Sequence, residues 1–443
     1  MVGGGLVAAA ALVANGLPVH AQQTEVEALR EQIQELSNRL EKIEADTLKT
    51  ADTAKAAPPT TAKFPLTISG LGQIHYLSFL NQQKDLNINQ RAVDTFRLRR
   101  AELRITAPSI TSRISGTIQL DPAKAAATSA ATAATGGLIQ GAGGLNQASN
   151  ILQELQISYL LRKAPTGSLN NVYIDLGQYK IPVGYESLVS SSALQTVERA
   201  LQFSQRDPFG GGFGDVRDTG AQIRGTQGQF DYRLGVFNGL GERQNALALS
   251  DAKAVLGLLS FKPKQIEGLT LGVSGGVGNT RLTSGPLTGA NSILNNRTDR
   301  SLFNGFVAFK RDKLTTQAEY LTGDSQLQNI SDPQLPKTLF GAFRQRKISS
   351  YYGSVGYLFK PQIEGVLRYD SFDFDRNISD TTVKDLTFGI NYYIKSNNAK
   401  IQFNVVRRNG GQGLTAANNF PGGTTNNFLN DRTELRTNFQ VAF

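Results

Sequence analysis

The sequence predicts an all-β fold, a 16-stranded antiparallel transmembrane β-barrel preceded by a short N-terminal coiled-coil helix. Three observations carry that expectation. From Phe64 to Phe443 apolar side chains recur with period two in segments of about ten residues, the pattern of half-buried strands. The connections between these segments alternate long and short. After residue 21 no apolar run approaches the roughly 20 positions that a spanning helix needs, so strands must do any spanning.

Composition narrows the chemistry. The 443 residues include no Cys, which removes disulfides, thiolate metal sites and Cys nucleophiles. Of the 2 His, His20 lies in a segment expected to be removed, so an imidazole-dependent reaction has only His75. Nothing around His75 in SGLGQIHYLSF marks a nucleophile and an orienting partner, which argues against an enzyme. The net charge of +10 points to an anionic partner. The basic residues alternate along strands instead of gathering on a surface helix, which disfavours nucleic acid. No cofactor is expected.

Taken in order, residues 1–21 read as a signal peptide: an apolar stretch of small residues closes with V-H-A before Gln22, although a basic start is missing. Residues 22–46 read as a periplasmic coiled-coil segment. Val26, Leu29, Ile33, Leu36, Leu40 and Ile43 are spaced by three and four, an a/d seam too short to be stable alone. Self-association is the leading reading, with packing on the chain's own domain or on a surface as the alternative. Residues 47–63, small, polar and containing a double Pro, read as a linker, and 64–443 as the barrel.

Within the barrel the expected strands are 65–79, 94–107, 111–121, 152–162, 171–179, 217–227, 229–238, 252–262, 267–277, 302–311, 314–323, 346–359, 361–373, 384–395, 398–408 and 432–443. In KDLTFGINYYIK, Leu386, Phe388, Ile390, Tyr392 and Ile394 share one face, opposite Thr387, Gly389, Asn391 and Tyr393. An even strand number with short turns at one end and long loops at the other is the arithmetic of an outer-membrane barrel. Hydrocarbon tolerates no open sheet edge, so closure follows. Phe359, Tyr392 and Phe443 suit an interfacial aromatic girdle. A soluble exported all-β protein would show alternating faces too.

The lumen side is expected to be basic. In FRLRRAELRITAP, Ala101, Leu103 and Ile105 oppose Arg100, Glu102 and Arg104, while Arg97 and Arg99 break the pattern in a way that headgroups or a bulge would accommodate. Alternation also sends Arg224, Arg233, Arg368, Lys400 and Arg436 inward. The long connection 180–216 is placed to fold into the channel, with SSSALQTVERALQF resembling a short Ser-capped helix. Lys180, Arg199 and Arg206 would form its selective rim unless Glu186, Glu198 and Asp207 tie them up in structural pairs.

Several stretches resemble the phosphate-selective porin O and P family: FRLRRAELRI, YIDLGQYKIPVGYESLVSSSALQTVER, DVRDTGAQIRG with YRLGVFNG, VLRYDSFDFDRNI, LTFGINYYI and the closing ELRTNFQVAF. The resemblance implies a trimeric 16-strand channel in the outer membrane, with an inward-folded third long loop and basic residues along the permeation path. It places Arg100, Arg104, Lys180 and Arg199 in the family's basic motifs. The expected function is passive diffusion of small anions, with phosphate selectivity as its narrower form. The alternatives are a general small-solute porin and a nonconducting outer-membrane anchor that contacts the cell wall through residues 25–46. The expected partners are outer-membrane lipids, small inorganic anions such as phosphate, and two further copies of the chain.

Overall fold

The computed structural model describes residues 65–80, 94–108, 110–123, 151–163, 170–204, 217–238, 253–281, 297–329, 343–411 and 431–443, together with four residues near the N-terminus. The chain divides into a unit Met1–Lys63 and a unit Phe64–Phe443. In the first, Gln34, Glu35, Asn38 and Arg39 are helical, and Arg39 pairs with Glu35 at 2.7 Å across one turn. The expected signal segment and the a/d seam lie outside the described residues.

The second unit is a closed antiparallel barrel of 16 strands. They are β1 (Thr67–Phe79), β2 (Thr95–Ala107), β3 (Ile114–Leu120), β4 (Leu152–Arg162), β5 (Val172–Lys180), β6 (Arg217–Gln227), β7 (Phe230–Phe237) and β8 (Ala254–Phe261). The circuit continues through β9 (Leu269–Arg281), β10 (Arg297–Arg311), β11 (Leu314–Asn329), β12 (Phe343–Lys360), β13 (Ile363–Asp373), β14 (Thr382–Lys395), β15 (Ala399–Asn409) and β16 (Arg432–Ala442). Each strand pairs with its sequence neighbours, and β1 closes on β16 with His75 opposite Asn438. Every expected strand is present. β9 to β12 run several residues further toward the long-loop end than alternation indicated, because the backbone ladder continues beyond the alternating stretches.

Side-chain alternation sorts the wall. Leu98, Ile157, Phe303, Phe388 and Ile390 are exposed on the outer face, as are Phe359, Tyr392 and Phe443 of the expected girdle. Gln73, Gln119, Asp175, Asn304, Asn391, Gln402 and Asn438 are buried on the inner face. An apolar exterior around a polar interior is what a bilayer outside and water inside select. At β2 the register slips between Gln73 and Ile74, whose partners are Arg100 and Leu98. Arg99 is therefore the extra residue of a bulge, which lets Arg97 and Arg99 both turn inward.

Gly177 adopts φ +120°, and a Cβ added there would sit 2.0 Å from the Leu155 carbonyl oxygen. Beyond this kink Lys180 reaches the segment that enters the lumen, although alternation from Asp175 would aim it at lipid. Gly177→Ala is expected to cost about 1–3 kcal/mol in backbone strain, before any clash is counted. A lower temperature for loss of the folded gel band checks this.

The described part of the connection from β5 to β6, residues 181–204, folds inside, as expected, but not as one helix. A 3₁₀ turn, Ser191–Ala193, is capped by Ser190, whose Oγ accepts from Ser192 N, and a four-residue helix spans Leu201–Ser204. From the first to the start of the second, the backbone N–H groups of Val197, Ala200 and Leu201 donate to Asn404, Glu186 and Asp370 side chains. Carboxylates and an amide take the donors that a continuous helix would direct to its own carbonyls. Leu201 and Phe203 pack with Leu321, Ile348, Tyr352, Phe372 and Val383 of β11–β14, an apolar cluster inside the barrel.

Candidate functional site

The inward segment is anchored by hydrogen bonds to β9, β11, β13–β16, β1 and β2. On β11, Glu319 accepts from Tyr185 N at 2.9 Å and Glu186 N at 2.8 Å, and also from the Tyr352 hydroxyl at 2.7 Å. Ser274 on β9 takes Gly184 N at 2.8 Å. Gln73 of β1 and Gln440 of β16 donate to the Ser191 and Ser192 carbonyls. Asn391 and Gln402, on β14 and β15, donate to the Gln195 carbonyl. On β2, beside β1, Arg97 Nη2 lies 2.7 Å and Arg99 Nε 2.8 Å from Glu198 Oε1. Burial alone would lift the Glu198 carboxyl, but Arg99, His75 and Arg97 together hold it well below the ordinary carboxylate range. His75 lies beside this cluster with Nδ1 3.7 Å from Glu198 Oε1, fully buried and with neither ring nitrogen hydrogen-bonded among the described residues.

This arrangement divides the sequence-predicted basic residues into two sets. Lys400, 1% exposed, donates to the Leu194 carbonyl at 2.7 Å. Arg368, 3% exposed, pairs with Asp370 at 2.8 Å and donates to Thr196 Oγ1 and to the Glu198 and Arg199 carbonyls. Arg199 itself donates to the Glu186 and Val189 carbonyls, so it braces its own loop. Arg100 is buried against Gln73 at 2.7 Å. These four face inward, but their hydrogen bonds go to protein. Arg206 lies outside the described residues.

The second set lines open space. On the short-turn side of the inward segment a cavity of about 480 Å³ is bounded by Arg104, Lys180, Arg217, Arg224 and Arg233, against Glu102 and Glu154. Arg104, its side chain 41% exposed, bonds Gln119 at 2.8 Å and Glu154 at 3.0 Å. Arg224 is held by Asp175 at 2.6 Å and lies 4.4 Å over the Tyr173 ring. Lys180 donates to the Ser187 carbonyl at 2.7 Å. Arg233, opposite Arg224 in the β6–β7 register, has no hydrogen-bond or ion-pair partner among the described residues. With five basic side chains against two acidic ones, the cavity attracts anions, and its guanidiniums offer forked donors that suit oxyanions.

A second basic group lies toward the long-loop end. Arg408 pairs with Asp385 through two bonds of 2.7 and 2.6 Å, and Glu434 is shared by Arg432 and Arg436, the latter at 2.7 Å. Of these, sequence reasoning had singled out only Arg436. Arg408 and Arg432 continue the faces of Lys400 and Arg436 in steps of two, so extending the same alternation by one turn of the pleat would have found them. Arg217 is different: it opens β6 opposite Lys180 and pairs with Glu154 at 3.2 Å, although alternation from Arg224 would place it on the other face, so no sequence periodicity announces it.

Comparison with known proteins agrees with this architecture. Among solved structures, the anion-selective porin from Comamonas acidovorans is similar at TM-score 0.52 and 14% identity, over 85% of this chain and 99% of that one. The Salmonella typhi OmpF complex with daunomycin is similar at 0.52 and 12%, over 85% and 97%. The outer membrane channel DcaP of Acinetobacter baumannii is similar at 0.50 and 10%, over 85% and 97%. Identities this low establish the shared barrel fold alone. No curated protein sequence matches the chain significantly. Residues 72–443, β1 through the C-terminal Phe, match the family model described as phosphate-selective porin O and P. The chain therefore belongs to the phosphate-selective porin O and P family, a family of outer-membrane porins.

Proposed function

We propose that the barrel passes small anions across the outer membrane by passive diffusion, that phosphate is a preferred one, and that Arg104, Lys180, Arg217, Arg224 and Arg233 form the permeation path. The observation that carries this reading is the basic cavity under the inward segment, inside a barrel whose outer face is apolar. Several guanidiniums at moderate spacing, each partly engaged by a wall carboxylate or amide, draw an oxyanion in without forming one deep trap. Arg100, Arg199, Arg368 and Lys400 act as positioning residues that set the shape of the constriction. In chloride solution, added phosphate should reduce the single-channel current in a saturable way. Chloride current unaffected by phosphate would leave a general anion porin.

The N-terminal unit supports a second element of the proposal. The seam from Val26 to Ile43 needs partner helices to bury it, and three copies of the chain satisfy it as a parallel trimer. Cell-wall contact through the same helix is the competing role for it. Deleting residues 22–63 should leave the unitary current unchanged and weaken the trimer, seen as a shift to monomer on unheated gels. Trimers of undiminished stability would assign the helix to attachment.

A further inference from the structure

The space beneath the inward segment has a second lobe of different character. It has a volume of about 360 Å³, within the roughly 300–1,000 Å³ of small-molecule sites, and is bounded by inward-facing wall residues of β5–β10 and by the underside of the inward segment. Tyr185, Leu188 and Val189 come from the segment, and Leu258 and Phe306 from the wall. Leu258 and Phe306 are each 8% exposed and lie on lumen-facing positions of β8 and β10, between outward Leu259 and Val307. Tyr185 stands with its ring 5.7 Å from that of Phe306. Wet barrel interiors are polar as a rule, so a run of apolar and aromatic groups lining open lumen requires a reason. Packing of the segment accounts for the Tyr185–Phe306 contact. It does not account for Leu188 and Val189, which stay half-exposed and border the cavity.

Both lobes share Leu188, Arg224 and Arg233, so they adjoin, and the two guanidiniums stand between them. Arg224 is fixed by Asp175 and by the Tyr173 ring, whereas Arg233 has no partner among the described residues. A compact inorganic anion gains nothing in the apolar lobe, where it sheds water without replacement hydrogen bonds. An anion with a flat or aliphatic body gains twice, by burying that body against Phe306, Leu258 and Tyr185 and by keeping its charge on Arg233. Asp231, paired to Lys262 at 2.5 Å at the rim, adds little net charge there.

We infer that this lobe is a subsite for small carboxylates with an aromatic or similar apolar body, the carboxylate on Arg233 and the body against Phe306 and Leu258. The inference rests on the anion-porin reading and extends it from inorganic anions to organic ones. Benzoate and acetate are the probes, since they share a carboxylate and differ in the body. In bilayers with the full-length protein, benzoate should interrupt the chloride current at a concentration about ten-fold lower than acetate. Phe306→Ser and, separately, Leu258→Ser should raise the benzoate constant several-fold and leave that of acetate where it was. Arg233→Gln should weaken both. Heat-modifiable gel migration verifies that each variant is folded, and the wild-type benzoate-to-acetate ratio needs no variant at all. Equal block by the two anions in an anion-selective channel would overturn the subsite alone, and so would a ratio unmoved by both serine variants. Loss of anion selectivity in the wild type would instead overturn the underlying reading.

Discussion

Glu319→Ala is expected to free the entry of the inward segment and give a channel with larger, noisier unitary current. Glu319 is the point at which the segment is fastened to β11. One carboxylate takes the backbone N–H of Tyr185 and of Glu186, the Tyr352 hydroxyl, and Asn304 Nδ2 at 3.1 Å. Truncation leaves two backbone donors and a hydroxyl without acceptors in a closed part of the barrel, at about 1–3 kcal/mol for each orphaned group. The wall loses the side-chain bonds of Tyr352 and Asn304 but keeps its ladder, which is backbone to backbone. The strain is relieved by lifting the Gly184–Glu186 stretch toward water, which disturbs the neighbouring Arg199 bonds to the Glu186 and Val189 carbonyls. The anchors on β13–β16 remain, so the segment frays from one side. Glu319→Gln, which keeps one acceptor oxygen, should produce a smaller change. Single-channel recording reads both, and traces identical to wild type for Glu319→Ala would show that the segment does not limit conduction.

The second large effect concerns selectivity. Replacing Arg104 and Arg233 together by Glu turns the cavity from five basic and two acidic side chains to three basic and four acidic. Two unit charges 4 Å apart interact by about 1 kcal/mol in bulk water and about 4 kcal/mol at an effective permittivity near 20. A change of four charge units along one path therefore outweighs the modest preference that an open, hydrated pore expresses. The double variant should reverse from anion- to cation-selective, and each single variant should fall between. Neither Arg104 nor Arg233 holds the inward segment, so pore size and folding should be preserved. The effect should shrink as salt concentration rises, since screening at about 1 M acts over only about 3 Å. Arg368→Glu is the instructive contrast: buried among Asp370, Thr196 and the Glu198 and Arg199 carbonyls, it should damage assembly rather than tune selectivity.

The wall was legible because bilayer and water impose opposite demands on successive residues. Ile401, Phe403 and Val405 against Lys400, Gln402 and Asn404 announce both strand and orientation. Where that contrast ends, legibility ends too: the sequence from Arg297 to Arg300 and from Asp324 to Asn329 holds a single apolar residue, Leu327, so it carries no alternation although the backbone ladder continues. The bulge at Arg99 was marked in sequence only as a break in alternation, and the register shift beside Leu98 supplies the cause. The site was legible in charge but not in role. Lys400 and Arg233 both alternate inward, yet Lys400 is spent on the carbonyl of Leu194, 206 residues away in sequence, while Arg233 borders open lumen. Contacts of that separation leave no local pattern. The apparent helix of residues 190–203 failed for the same reason, since Asn404, Asp370 and Glu186 compete for its backbone donors from outside the segment or across its fold.

The most direct test of an anion-conducting barrel is the reversal potential of purified, folded full-length protein in a planar bilayer across a potassium chloride gradient. The basic lumen predicts a measurable current whose reversal potential lies toward the chloride equilibrium value, and moves toward zero selectivity at high salt. A folded protein that carries no current, or whose current reverses near the potassium value, would contradict the account.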